Sequence, residues 1–403
     1  MSEAFDLATL DVYDPDQYVE GVPHAKLAFL RAHEPVFWQR LPGGGGAWFV
    51  TRHADVVAAS SAPATYSAER GGVVIEELAP ERLAQMRGQL LAMDPPRHRE
   101  MRRNVLVGFT PGLVGRMEPF LRERAQAVMK AAAACGTVNF VYDMAAALPL
   151  QVICEIFGIP EADRAWVVEA GDRVIGRDDP ELGASEDSGA SSLAIGTYGF
   201  RLATERAGKG GDDLVSLLVN APGDGAVSAV EFANLFIQLI VAGNETTRTL
   251  LTGTLLALLE NPDAYRALER DAGLLPVAVE EMLRWTTPVH YFRRTATRDA
   301  ELAGKKIREG DRVVLHYTAA NFDEAVFAEP LRFDIRRDPN PHLAFGWGEH
   351  FCLGAKLARM EARIFWEEFF RAFAAVELAG PVRRMRSNLN NSHKQIPVRL
   401  VPR

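Results

Sequence analysis

The sequence predicts a mainly α chain with a small β region, and three observations predict it. The first is Ser228-Ala229-Val230-Glu231, which has the form of a capping box. It opens an apolar stretch that continues to Glu260, just before Asn261-Pro262. At about 1.5 Å per residue such a helix approaches roughly 50 Å, enough to cross the whole protein. Being apolar on most sides, it should run through the interior. The second is helical patterning from Val114 to about Arg177, and again from Ala355 to about Phe370. The third is a set of short β-like runs. Val36–Gln39 and Ala47–Thr51 flank Pro42-Gly43-Gly44-Gly45-Gly46, and Glu301–His316 carries turn pairs at Ala303-Gly304 and Glu309-Gly310.

Composition narrows the class. The 403 residues suffice for two or three average domains or one large one. A 48% hydrophobic content supports a large core, and 24% charged residues are ordinary for a soluble chain. The net charge of -8 argues against a nucleic-acid partner. Three cysteines make no disulfide framework and fit a reducing cytoplasm. Met1–Asp16 has acids and no basic segment ahead of an apolar run, so neither a signal peptide nor a membrane anchor is expected.

Taken in order, the chain begins with a loop and a helix over about Val22–His33. The two β-like runs follow, then a short helix, Asp55–Ser60. Gly71-Gly72-Val73-Val74-Ile75 is apolar within a polar stretch. It either lines a pocket or packs on the core. Pro95-Pro96 lets a helix start, and on it His98 and Arg102 share one face. Two donors there suit a dianionic group; a solvated basic face is the plainer reading. Asp178–Ser192 is small and polar, with Pro180 as a breaker, and reads as a mobile loop between two helices.

The middle of the long helix breaks the local rules. Ala242-Gly243-Asn244-Glu245-Thr246-Thr247 puts a glycine and polar groups between apolar flanks. Gly243 lets a ligand approach the backbone, and Thr246 can bond back to the carbonyl of Ala242. Glu245 and Thr246 can relay protons. An ordinary kink, with Glu245 paired elsewhere, is the alternative. Glu281 and Arg284 lie three apart on the next helix and can pair. Pro288–Phe292 is strand-like, and Arg386–Val401 is β-like, with a turn near Leu389-Asn390-Asn391 that reaches towards a pocket.

Phe345-Gly346-Trp347-Gly348-Glu349-His350-Phe351-Cys352-Leu353-Gly354 is the chemical centre. Glycines free the backbone to aim N–H groups at the sulfur, and the following helix adds its positive end. Both favour a thiolate, and a buried thiolate calls for a metal counter-charge. Cys135 and Cys154 have no partner at zinc-ligand spacing, so the remaining ligands should come from a cofactor, and haem iron fits. A buried apolar cysteine, or a nucleophile paired with His350, are the alternatives.

The run Phe345-x-x-Gly348-x-His350-x-Cys352-x-Gly354 resembles the haem loop of the cytochrome P450 family. Four further motifs stand in that family's order: the His98 helix, the threonine helix, Glu281/Arg284, and Arg337 in Phe333-Asp334-Ile335-Arg336-Arg337. The resemblance implies one triangular domain over 1–403, β-rich at about 36–60 and 289–340. It implies haem b on Cys352, with Phe345, Gly354, Ala242 and Gly243 around it and its propionates met by His98, Arg102, Arg294 and His350. Glu245 and Thr246 would be the catalytic pair, and Glu281, Arg284 and Arg337 a structural network. Val74, Ile75, Leu239, Ala242, Val289, His290 and Phe292 would face substrate, although a hydrogen-bonded His290 without a chemical role is the simpler reading. The implied reaction inserts oxygen from O2 into a hydrophobic small molecule; the octet Val241–Arg248 resembles that of bacterial members acting on steroids, terpenoids or alkyl chains. Electrons would come from a ferredoxin and its reductase, since neither flavin nor iron–sulfur motif is present. Arg99, Arg103, Lys356 and Arg359 are candidates to dock that partner. A peroxide-driven or coupling variant, and a non-enzymatic haem sensor or carrier, are the competing functions.

Overall fold

The computed structural model describes residues 5–175, 179–181, 185–222 and 225–403. Its centre is the helix Ala229–Glu260. The Ser228 hydroxyl accepts from the Glu231 N–H at 3.2 Å, and the Glu231 carboxylate accepts from the Ser228 N–H at 3.1 Å, so the capping box is closed. Buried side chains lie on nearly every side of this helix, from Phe232 and Leu235 to Leu255 and Leu258. It is enclosed by the helices Ala147–Ile156, Glu161–Ile175, Ser185–Arg206 and Leu275–Thr286. Burial of an apolar surface in a shared core stabilises such a helix far more than propensity does.

A five-stranded sheet forms the β region, in the order Val36–Arg40, Gly46–Val50, Arg312–His316, Tyr291–Ala296, Tyr66–Ser67. Ala300–Leu302 and Lys305–Ile307 form the expected hairpin, whose turn residues Ala303 and Gly304 both have positive φ. A second sheet pairs Pro397–Pro402 with both Thr137–Asn139 and Phe373–Leu378. The strands of the 289–340 window end at His316, and the helix Tyr317–Asn321 and irregular chain follow.

Two readings change. Within Asp178–Ser192, residues from Ser185 onward belong to the helix Ser185–Arg206, while 178 and 182–184 lie outside the described residues. Ile195, Tyr198 and Leu202 of that helix are buried in the main core, and this burial outweighs the weak propensity of its serines and glycines. The other is an unexpected helix, Pro80–Arg87, which starts with proline at its first position and has no buried residue. Asp179 is buried. It accepts from Lys394 Nζ, with a shortest contact of 2.9 Å, and from the Arg386 N–H at 3.0 Å, which ties it to the C-terminal strands.

Glu281 anchors the chain that leads to the cysteine loop. Its fully buried carboxylate accepts from Arg284 Nε and Nη2 (2.7 and 2.8 Å), Arg337 Nε (3.1 Å), Asn340 Nδ2 (3.1 Å) and the Asp334 N–H (2.9 Å). Arg284 also donates to the carbonyls of Asn321 and Pro330 at 2.9 and 3.0 Å, and Arg337 to that of Ala328 at 2.7 Å. A buried charge is tolerable only when paired and hydrogen-bonded this fully.

Candidate active site

The cysteine loop is held by backbone geometry. Gly346 and Gly348 have φ of 70° and 72°, and a Cβ on Gly348 would lie 2.8 Å from the Ser60 carbonyl oxygen. The Cys352 N–H donates to the Phe345 carbonyl at 2.9 Å, and the helix Ala355–Ala372 starts three residues later. The Gly354 N–H bonds the sulfur, and Arg102 and Arg359 add positive charge; all three draw the thiol pKa down. Burial outweighs them and pushes it up. The loop alone therefore does not make a thiolate, contrary to the sequence reading; desolvation leaves that to a cation that displaces the proton. The sulfur is nevertheless open to an internal cavity, and Cys352 counts as exposed for that reason.

This cavity has a largely apolar lining, as ligand clefts do. It brings together Cys352, Phe345, His350 and Gly354 from the loop and His98 and Arg102 from the helix Arg97–Val105. The long helix adds Leu239, Ala242, Gly243 and Thr246, and Val289 and Phe292 complete the set. The His98 and His350 rings meet at a tilt of 49°, with 4.3 Å between centroids. Both ring nitrogens of His98 and Nε2 of His350 are buried without a hydrogen-bond partner. Burial lowers the pKa of both, aided at His350 by Arg294, His98 and Arg102, which takes it to about 2. Both rings are therefore neutral, each with one N–H to give. Arg102 donates to the Phe351 carbonyl at 2.6 Å. Arg294 is buried and donates to the Arg293 carbonyl at 2.8 Å; it is close enough to His350 and His98 to act on both, without lining the cavity itself.

A second cavity, about 1210 Å³ with its mouth, shares Leu91, Gln238, Ala242, Thr246, Val289 and Phe292 with the first. Val73, Val74, Glu245, Leu389 and Asn390 also line it, so the 389–391 turn does reach the pocket. Ile75 and His290 line neither cavity. Ile75 is buried in a cluster with Leu10, Phe37 and Tyr291. His290 is fully buried, bonded through Nδ1 to Thr318 Oγ1 at 2.7 Å with its ring tilted against that of Tyr18, as a hydrogen-bonded histidine away from the cavity would be.

Thr246 Oγ1 donates to the Ala242 carbonyl at 2.7 Å. Glu245 is buried and ion-paired with Arg248, which lies over the Tyr142 ring. Thr249 Oγ1 reaches the same carboxylate at 3.4 Å and meets Ser392 Oγ at 2.8 Å. A Cβ on Gly243 would come within 3.1 Å of Ile153 Cδ1, so the side chain of the neighbouring helix would have to shift by a few tenths of an ångström to admit one. Sequence reasoning missed Arg248 and Glu361. Arg248 sits at i+3 from Glu245, a usable signal. Glu361 lines the first cavity with Oε2 unpartnered, and burial lifts its pKa to about 8. Its signal was its place between Leu357 and Phe365, four residues from each, on the buried face of the cysteine helix. No helix of the described residues is long and apolar enough to cross a membrane, and none of them form a His/Cys/Asp/Glu cluster suited to a metal.

The family model for cytochrome P450 matches residues 202–391. A steroid C26-monooxygenase of Mycolicibacterium smegmatis is 38% identical, covering 95% of this chain and 92% of that one. A methyl-branched lipid omega-hydroxylase of Mycobacterium bovis is 40% identical over 98% of this chain and 94% of that one. The structure of Mycobacterium marinum cytochrome P450 CYP268A2 in complex with pseudoionone superposes with a TM-score of 0.91 at 35% identity, covering 98% of this chain and 99% of that one. With similarity of this extent on both sequence and structure, the chain belongs to the cytochrome P450 family of haem proteins and is an oxidoreductase of the monooxygenase type.

Proposed function

We propose that residues 1–403 act as one cytoplasmic unit, holding haem b on Cys352 and inserting one oxygen atom from O2 into a C–H or C=C bond of a hydrophobic small molecule. For a C–H bond the balance is substrate, O2, two electrons and two protons giving alcohol and water. The observation that carries this reading is the meeting of Cys352 with the Ala242–Thr246 turn across one largely apolar cavity. The residues fit the cofactor: buried, unpartnered nitrogens of His98 and His350 stand beside Arg102 and Arg294, as an edge bearing two carboxylates requires.

A thiolate-bound haem supplies O2 activation and O–O cleavage. The chain's own residues do the rest. His98 and His350 would each donate an N–H to the propionates, and Arg102 and Arg294 would supply the charge that neutralises them. Thr246 Oγ1 holds a proton at the cavity wall, and Glu245, lining the second cavity beside it, would take a proton from water on leaving Arg248 and pass it on. Leu239, Val289 and Phe292 keep water from the reacting carbon.

The substrate reading, a steroid, terpenoid or branched alkyl chain, follows the names of the two relatives and the apolar walls. Electrons would come from a ferredoxin and its reductase. Of the four basic candidates for that face, Arg99 is paired with Glu349 and Arg359 with Glu280. Arg103 and Lys356 are exposed and make no ion pair among the described residues. The deciding experiment is reconstitution with haem and a ferredoxin system: the reduced carbon monoxide adduct should absorb as thiolate-bound haem, and a steroid, terpene or alkyl probe should gain one oxygen. A histidine-type adduct would overturn the reading.

A further inference from the structure

We propose that Arg82 anchors the anionic end of an elongated apolar substrate, a carboxylate-ended amphiphile whose far end lies at Thr246. The inference rests on the monooxygenase reading and names the substrate class of that same site.

Arg82 belongs to the unexpected helix Pro80–Arg87. Residues at i and i+3 share a face, and Arg82 and Gln85 line the second cavity together with Gln89, which follows the helix. These three make one polar stretch of its wall, while Val74, Ile237 and Phe292 contribute apolar surface. Two charged residues line this cavity, Arg82 and Glu245. Glu245 is neutralised by Arg248. Arg82 makes no hydrogen bond or ion pair among the described residues. The acids near it in sequence are occupied or turned away. Glu77 pairs with Arg293 and Arg312 at 3.3 and 2.7 Å, Glu76 accepts from the Tyr13 hydroxyl at 3.2 Å, and Glu81 does not line the cavity. Among the described residues, in a chain of net charge -8, Arg82 is thus the one charge lining the cavity that lacks a partner, and it is exposed.

The second cavity itself reaches Ala242 and Thr246, two of the six residues that also line the first, where Cys352 lies. A molecule seated with its head at Arg82 therefore passes Phe292 and Val289 and presents its tail at Ala242 and Thr246, beside Cys352. A planar guanidinium takes a carboxylate with two parallel hydrogen bonds, and the Gln85 and Gln89 amides can add donors. An ester or alcohol of the same length loses the charge and keeps the apolar contacts. The anchor would also set the position of attack, because it fixes the distance from the head to the oxidised carbon.

The test measures equilibrium binding of hexadecanoic acid, its methyl ester and hexadecanol to the haem-loaded protein and to Arg82→Gln and Arg82→Lys. The wild type should bind the acid about tenfold more tightly than the ester, a difference that shrinks with added salt. Arg82→Gln should bring acid and ester to parity, and Arg82→Lys should restore part of the gap. Arg82 is on an exposed helix without buried residues, so both variants should fold. Equal affinity for acid and ester in the wild type, or a preference untouched by Arg82→Gln, overturns the anchor. If oxidised product forms from the ester in that case, the monooxygenase reading survives it. An acid preference with no oxidised product from any probe upholds the anchor and overturns the monooxygenase reading instead.

Discussion

The two ends of the ligand space are built on opposite principles. Behind the cysteine loop, the Glu281 carboxylate is fully buried with five donors, and Arg284 and Arg337 spend their remaining N–H groups on carbonyls. At the far wall, the helix Pro80–Arg87 buries nothing, and Arg82 has no protein partner among the described residues. The first end permits one arrangement of the chain and would keep a cofactor in register. The second tolerates substitution and leaves charge available for a ligand. A fixed scaffold and an adaptable wall are thereby placed in different parts of the chain.

That contrast can be broken most severely at the sulfur. Cys352→Ser should remove the thiolate signature of the reduced carbon monoxide adduct and bring oxygenation to background, read by absorption and product analysis. Next comes Glu281→Gln, which leaves Arg284 and Arg337 without a buried anion. It should cost about 3–5 kcal/mol of stability and much of the haem content. Thermal unfolding and haem-to-protein ratio check this; Arg82→Gln, by contrast, should stay within about 0.5 kcal/mol of wild type. Equal effects of the two changes would erase the distinction between the ends.

A third change sharpens the division of labour on the long helix. Thr246→Ala should keep consuming reducing equivalents while releasing peroxide in place of product. Unchanged product yield would count against the proton relay. The smallest expected effect concerns Glu361. Its carboxyl has a folded pKa raised to about 8 from an ordinary 4.5, because burial disfavours the charged form. The sign follows from linkage: the folded state binds the proton more tightly, so this group favours folding below about pH 4.5. That advantage is lost as pH rises towards 8. Glu361→Gln should therefore flatten the pH dependence of thermal stability between pH 5 and 8 and raise the melting temperature at the upper end.

How much of this was legible in the sequence follows the same division. The loop around Cys352, the long helix and its polar middle, and the Glu281, Arg284 and Arg337 set were all readable. Each depends on local spacing or on a residue whose backbone conformation is unusual, such as Gly348. The walls were less readable. Ile75 and His290 are neighbours in sequence of lining residues, Val74 and Val289, yet both side chains are buried away from the cavities, a direction that irregular chain does not announce. The helix Pro80–Arg87 has no apolar face on the core to announce it, and it was missed together with Arg82. Ser185–Ser192 looked like a loop because its helical state is enforced by packing from further along the same helix. The raised thiol pKa of Cys352 was also out of reach, since it is set by the density of chain folded around the sulfur.

The strand Pro397–Pro402 lies between Thr137–Asn139 and Phe373–Leu378, so it joins stretches made at widely different moments of synthesis. A ribosome must pass residue 397 before the first of these partners can be zipped into its sheet. The turn at Leu389 and Asn390 that closes the pocket emerges only shortly before. A nascent chain halted upstream of Pro397 would leave Thr137–Asn139 and Phe373–Leu378 without the strand that joins them.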